Sequence, residues 1–600
     1  MRVLGLSGHF HDSAAALVVD GQIVAAAQEE RFTRRKHDPS TPLRAAAFCL
    51  RQAGLNAGDL DAIVWHEKPL LKFERILLTS LATFPRGAAT FRRAMISMVG
   101  DKMWVKNHLV RDLGVAPARV QFSSHHASHA ASAYCCGPFE RAAILCVDGV
   151  GEWATTSIWR GSPVGIEPIA ELHFPHSLGL LYSVFTAFLG FEVNDGEYKV
   201  MGLSAFGEAK YVDDVDKVLR RQSDGSFELD MAYFCFDREA DRSWTPAFEA
   251  LFGVPRAVEG PMEQRHKDIA ASIQRVAEEV LLGLCRLAFE KTGEANLCMA
   301  GGVALNAVAV GRIVREGPFD DVFVQPAAGD AGAALGAALL ASGCPRAPLR
   351  HVALGGDVNV DATRRFLDDG GIAYEDAGDG IAGVVAERLA RGEVVGWMQG
   401  RFEFGPRALG QRSILCDPRP ADAKDRLNAR IKFRESFRPF APSVLAAASS
   451  RLFDRSPPPP GSIKTDVVGF DMPAGRMKTD VVGFDMPAGS WTRRFMTSTV
   501  AASDLGKRTI PAALHVDGTA RVQEVYAEDL PLYADLLTRF GALTGVPCLV
   551  NTSFNLAGEP MVSTVADGYA TFLRCGMDAL AIGPFLITRE PASHGDKGAK

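Results

Sequence analysis

The 600-residue sequence predicts an α/β protein of two or more domains, since two structural patterns recur and one core does not serve so long a chain. The first pattern is strand, glycine-bearing turn, strand, turn, strand. It occupies roughly the first 27 residues and returns about 140 residues later as "AAILCVDGVGEWATTSIWRG" and "VGIEPIAELHF". The second pattern is strand, glycine turn, helix. It appears in "LCMAGGVALNAVAVGRIV" and again in "VFVQPAAGDAGAALGAALLASG".

Taken in order, "VLGLS" is a strand, "HFHDS" a turn, and "AAALVVDGQIVAAA" a hairpin with Asp20-Gly21 at its tip, a pair suited to the twist of a two-residue turn. Helical segments follow each copy of the meander. Residues 257–345 are mainly helical, and "DIAASIQRVAEEVLLGLCRLAFEKTG" keeps apolar residues at helical spacing until Gly293 stops it. Two such halves point to the duplicated actin/sugar-kinase architecture, whose glycine turns face a shared cleft and hold nucleotide phosphates. The segment "CPRAPLRHVALGG" at 344–356 reads as a boundary, giving domains at 1–347 and 357–600. The second alternates strands and helices, as in "GVVAERLARGEVVGWMQG". It also holds "KTDVVGFDMPAG" twice, at 464–475 and 478–489, after a "SPPPP" run. Two copies do not make a solenoid. A local duplication with one copy in a surface loop is expected.

Composition is that of a globular protein, 47% hydrophobic and 23% charged. The net charge of −6 offers no electrostatic case for a nucleic-acid partner. No apolar run is long enough to span a bilayer, so no membrane partner is expected, and the N-terminus does not read as a signal peptide. Eleven cysteines without CxxC or zinc-ribbon spacing read as reduced core residues of a cytoplasmic protein.

The stretch "SSHHASHAASAY" at 123–134 places His125 and His129 one helical turn apart on a shared face, with His126 about 100° away. Ser123 or Ser124 can cap the start of that helix. An i,i+4 histidine pair is a two-ligand chelate, and a helix that merely carries histidine reads the same way. Asp148 and Asp330 each end a strand-like run beside a glycine turn, where ligands gather in open α/β sheets. Two imidazoles and two carboxylates suit Fe²⁺, Mn²⁺ or Zn²⁺ and fit Ca²⁺ poorly. A hairpin-turn role for Asp148 and a helix-cap role for Asp330 are the competing readings.

Gly149, Gly151, Gly301 and Gly302 would let the backbone approach a nucleotide phosphate in the first domain, with Lys199 and Asn306 beside them. In the second domain Arg401, Arg407, Arg412, Lys432, Arg434, Arg438 and Arg521 are anion-binding candidates, since guanidinium forks fit phosphate oxygens. Aromatic residues interleaved with these arginines favour a partly enclosed cleft over a solvated basic face.

The motifs "HHASHAASAY", "CVDGVGE", "GEYKVMGLSAFG", "MAGGVALN", "PAAGDAGAALGAA", "RFEFGPRALGQRSIL", "FRESFRPFAPSV" and "NTSFNLAGEPMV" occur in that order. Together they resemble the O-carbamoyltransferases that act on Nod factors, cephamycins, ansamycins, tobramycin and saxitoxin-type toxins, with the opening segments nearest the saxitoxin branch. The resemblance implies a TsaD-like N-terminal domain of actin-like fold and a YrdC-like C-terminal domain. It implies that the second makes carbamoyl-AMP from carbamoyl phosphate and ATP (with Mg²⁺), and that the first transfers the carbamoyl group to a hydroxyl of a small molecule. By the resemblance, His125, His129, Asp148 and Asp330 hold the metal, with Fe²⁺ favoured, His11 is the catalytic base, and Lys36 faces the acceptor. Lys432-x-Arg434 and Ser553-x-Asn555 resemble the paired K-x-R and S-x-N motifs of YrdC. A fused enzyme that threonylcarbamoylates tRNA is the alternative; the absence of a basic stripe speaks against it.

Overall fold

In a computed structural model, the protein is described over residues 1–239, 241–435, 437–454 and 490–589. The duplicated segment at 464–489 lies outside the described residues.

The N-terminal meander forms as expected. Strands β1 (Arg2–Ser7), β2 (Ala14–Val19) and β3 (Gln22–Gln28) pair antiparallel in sequence. Asp20 and Gly21 both take positive φ, 49° and 80°, as the predicted two-residue turn requires. β4 (Ala62–Trp65) then adds parallel to β1, and β5 (Val120–Phe122) parallel to β4, for the order β3-β2-β1-β4-β5. The second half repeats this arrangement. β6 (Ala142–Val147), β7 (Ala154–Ser162) and β8 (Gly165–His173) form the meander; strand Asn296–Ala300 adds parallel to β6, and Asp321–Val324 parallel to that. The duplication read from the sequence is thus present as two five-stranded sheets of one topology, the actin/sugar-kinase arrangement.

Two helices of small residues, His125–Cys136 and Asp330–Ala341, lie side by side against the sheets. All twelve residues of the first are buried, as a helix that touches protein on every side must be. Their approach needs glycine: a Cβ on Gly336 would sit 1.8 Å from the Ser128 carbonyl oxygen. The long helix Gln264–Thr292 stops where predicted, with Gly293 left-handed at φ 68°.

The C-terminal part is built on an eight-stranded mixed sheet flanked by helices such as Ile381–Ala390 and Pro531–Thr544. The segment 344–356 crosses between the two parts by hydrogen bonds from Ala347 and Leu349 to Cys135 and Cys136, from Ala26 to Leu354, and from Gly355 to Phe402. Arg31 and Arg34 of the first part donate to the carbonyls of Gly405, Met561 and Pro560 in the second. All eleven cysteines are free and ten are buried. Among the described residues no helix is long and apolar enough to cross a membrane.

Candidate active site

Helix His125–Cys136 starts directly after the two residues that follow β5, and its first two turns carry both histidines of interest. Ser124 occupies the N-cap position, but its side chain makes no cap bond. The Glu152 carboxylate takes the His125 N–H instead, at 3.0 and 3.1 Å, and the Lys68 N–H at 2.8 Å. A negative group at a helix N-terminus is favourable on dipole grounds as well. The expected serine cap is therefore corrected to a glutamate from the turn after β6. Glu152 stands in the quoted "CVDGVGE", yet its partner is 27 residues away.

His125, His129, Asp148 and Asp330 converge, each with one ligand atom, all within 4.8 Å of one another. His125 Nε2 is 2.9 Å from Asp148 Oδ2 and 3.1 Å from His129 Nε2. Asp330 Oδ1 is 3.7 Å from His125 Nε2 and 3.6 Å from His129 Nε2. The second oxygen of Asp148 accepts the Gly302 N–H at 3.0 Å, which ties the glycine turn to the cluster. Gly301 makes that turn possible: at φ 91° a Cβ would meet the Val147 carbonyl at 2.2 Å. Burial opposes charge on all four groups, but mutual hydrogen bonds prevail. They raise His125, lift His129 to about 9, and hold Asp148 and Asp330 well below the usual carboxylate range. Two Nε2 atoms 3.1 Å apart do not both carry protons in comfort. A cation among four converging lone pairs satisfies this donor set, and an N₂O₂ set fits a borderline divalent ion. His126 points elsewhere: its Nδ1 bonds Ser157 Oγ at 2.7 Å, and burial pushes its pKa down to about 3.

His11 stands within electrostatic reach of Asp330 and Asp148. Its Nδ1 is 3.1 Å from Asp12 Oδ2, and the other Asp12 oxygen is 2.7 Å from His37 Nδ1. His37 Nε2 in turn meets Asp195 at 3.2 Å, and Asp195 also binds Lys36. Burial disfavours both imidazolium ions, yet the carboxylates prevail and raise His11 to about 9 and His37 to about 10. Asp12, shared by two histidines, is held far below the ordinary range despite burial. Sequence reasoning found His11 and Lys36 and missed Asp12, His37 and Asp195. The adjacent pairs His11-Asp12 and Lys36-His37 were the only signal, and the Asp12–His37 pairing spans 25 residues.

A cavity of about 420 Å³ opens between the two parts. Lys36, Asp195, Tyr198 and Lys199 line it from the first part, and Lys432, Arg434, Glu435, Arg438, Ser553 and Asn555 from the second. The K-x-R and S-x-N motifs meet here. Lys432 Nζ donates to the Ser553 and Asn555 carbonyls at 2.8 and 2.9 Å and to Asn555 Oδ1 at 2.8 Å, with Ser553 Oγ at 3.3 Å. Arg438 reaches the Tyr198 hydroxyl across the cavity at 3.2 Å. Arg521 lies near both Arg407 and Arg434, and none of the three forms an ion pair among the described residues. Burial lowers Arg407 to about 10 and Arg434 to about 9; it also holds Arg521 well below the ordinary guanidinium range, helped by its two arginine neighbours. Three guanidinium groups outweigh Glu435, the carboxylate beside Arg434, and form a site that favours an anion.

Other candidates fall elsewhere. Arg401 donates to the carbonyls of Gly355, Val24 and Leu354. Arg412, fully buried, donates to those of Gln399, Gly400, Gln411 and Gly356. Both were expected at the phosphate pocket; the structure uses them as braces, because carbonyl oxygens occupy their N–H groups. Lys199 pairs with Glu435 at 3.2 Å in the cavity, away from the first-domain glycine turn where it was expected. Asn306 caps a helix through Ala309 and pairs with Gln274, so its amide is already engaged. Gly149 and Gly151 both follow Asp148 in the same turn, and a Cβ on Gly151 would touch the His125 ring at 3.0 Å.

Residues 2–339 match the family described as carbamoyltransferase N-terminus, and residues 386–589 the one described as carbamoyltransferase C-terminus. The chain belongs to the carbamoyltransferase family. It is 45% identical to the uncharacterized protein sll1178 of Synechocystis, over 98% of this chain and 96% of that one. It is 37% identical to the nodulation protein NolNO of Sinorhizobium fredii, over 98% of this chain and 80% of that one. A solved structure, the activator of 2-hydroxyisocaproyl-CoA dehydratase from Clostridium difficile with bound ADPNP, is 16% identical over 57% of this chain and 94% of that one, with a TM-score of 0.31. Carbamoyl transfer is thus the reaction class of this enzyme.

Proposed function

We propose that the protein is a cytoplasmic, ATP-dependent O-carbamoyltransferase that divides its reaction between two sites. In the YrdC-like domain, 357–600, water hydrolyses carbamoyl phosphate to carbamate and phosphate. A carbamate oxygen then attacks the α-phosphorus of Mg²⁺-ATP and displaces pyrophosphate, giving carbamoyl-AMP. Lys432, Arg434 and Arg438, with Arg407 and Arg521 behind them, hold these anions, and Ser553 and Asn555 fix the Lys432 ammonium in place.

In the TsaD-like domain, 1–347, a hydroxyl of a small natural product attacks the carbamoyl carbon, AMP leaves, and the hydroxyl proton passes to His11. Asp12 orients His11 through Nδ1, which leaves Nε2 for the acceptor. His37 and Asp195 steady Asp12 from the cavity side. His125, His129, Asp148 and Asp330 would hold a divalent cation, Fe²⁺ by family resemblance, whose charge polarises the carbamoyl group. Charge placed between Asp148 and Asp330 would also offset their pull on His11 and bring it towards neutrality.

The observation that carries this reading is the shared cavity, where Lys36 and Lys199 of one part face the K-x-R and S-x-N pair of the other. Incubation with carbamoyl phosphate, ATP and Mg²⁺ is expected to release pyrophosphate and form carbamoyl-AMP without any RNA. Absence of an AMP-containing product from the metal-loaded protein would refute the scheme.

A further inference from the structure

We propose that the helical hairpin of Pro69–Ala82 and Ala88–Gly100 is a docking surface for an anionic phospholipid bilayer. Among the described residues nineteen large hydrophobic side chains are exposed, and eight of them lie between positions 70 and 104. Leu81, Phe84 and Ile96 are 64%, 73% and 67% exposed. On the first helix Leu70, Leu78 and Leu81 fall within a sector of about 100°, so they form one outward face. A concentrated apolar patch of this kind marks an interaction surface.

Charge selects the partner. Between 68 and 104 seven lysines and arginines stand against two carboxylates, a net charge of +5 in a chain whose total is −6. Arg93 pairs with Asp241 and Lys72 with Glu67, while the exposed Lys68, Arg86 and Arg92 have no ion-pair partner among the described residues. Apolar side chains beside unpaired cations fit a surface that is anionic outside and apolar beneath. A second copy would bring two positive faces together, which disfavours self-association. That no helix spans a bilayer does not bear on helices that lie on one. The patch also continues to the candidate active site: Lys72 Nζ lies 5.9 Å from the ring centre of exposed Phe10, and Phe10 packs on His11 with ring centres 4.5 Å apart. Resting on the function proposed above, docking here would present His11 to hydroxyl acceptors with an apolar body.

The test is co-sedimentation of the full chain with phosphatidylcholine vesicles with and without phosphatidylglycerol. Binding is expected only with phosphatidylglycerol, and weakened by salt. Each cation at such a surface is worth about fivefold, so joint Arg86→Glu and Arg92→Glu should weaken binding by roughly twenty-five-fold or more. Leu81→Asp with Phe84→Asp should abolish it, and unchanged circular dichroism would show these exposed positions leave the fold intact. Failure to bind anionic vesicles would overturn the proposal, as would equal binding to both vesicle types. A solution dimer that Leu81→Asp with Phe84→Asp dissolves would also overturn it. Vesicle binding is read without any carbamoyl chemistry, so its failure and that of the proposed reaction are distinguishable.

Discussion

Asp12→Asn offers the sharpest test of the array around His11. The Asp12 carboxylate accepts from His11 at 3.1 Å and from His37 at 2.7 Å. Raising His37 from its ordinary 6.5 to about 10 corresponds to roughly 4–5 kcal/mol of preference for the charged ring. Asp12 and Asp195 share that preference, and Asp12 also holds His11, raised to about 9, so removing Asp12 alone should cost roughly 2 kcal/mol or more, the range of a charge-assisted hydrogen bond. The sign of the pH dependence follows from the direction of the shift. A histidine raised in the folded state contributes its full stability below pH 6.5 and loses it as pH climbs through about 10. Urea unfolding of the wild type and of Asp12→Asn at pH 6 and above pH 10 should therefore show a penalty of roughly 2 kcal/mol at the lower pH that all but vanishes at the higher. Carbamoyl transfer should fall by about a hundredfold or more with misorientation of the base, while carbamoyl-AMP formation continues. A stability penalty equal at both pH values would refute the shared-carboxylate reasoning.

Other outcomes follow from the same geometry. His129→Ala should reduce bound metal, read by mass spectrometry, and abolish carbamoyl transfer with carbamoyl-AMP formation largely retained; equal loss of both half-reactions would contradict the division between sites. Arg521→Met removes one of three clustered cations, so it should raise the melting temperature of the unliganded protein, by about 1 kcal/mol or more in stability, yet cancel the stabilisation by carbamoyl phosphate. Arg412→Ala leaves buried carbonyls without donors and should cost roughly 3 kcal/mol, with the KM for carbamoyl phosphate little changed in protein that folds.

Much of the architecture was legible one segment at a time. Asp20-Gly21, the Gly293 stop and the two meanders follow from turn chemistry and residue period, which act over a few positions. The i,i+4 spacing placed His125 and His129 on one face for the same reason. The family resemblance supplied His11 and Lys36, and it paired Lys432 with the Ser553–Asn555 motif.

Partner choice was not legible. Arg401, Arg407 and Arg412 share one short stretch, yet only Arg407 lies beside Arg521; the others brace carbonyls as far away in sequence as Val24. Guanidinium groups bind phosphates and carbonyls alike, and sequence does not say which will be in reach. The same holds for Glu152 in place of Ser124 at the helix cap, and for Asp12 between two histidines. In the basic hairpin at 69–100, only the packing shows that the apolar face is left uncovered. By itself the sequence determined the elements, their duplication and the chemical type of each site, because those depend on local periodicity and composition. The tertiary structure decided which polar groups meet and which apolar faces stay in water, because both depend on contacts between segments hundreds of residues apart.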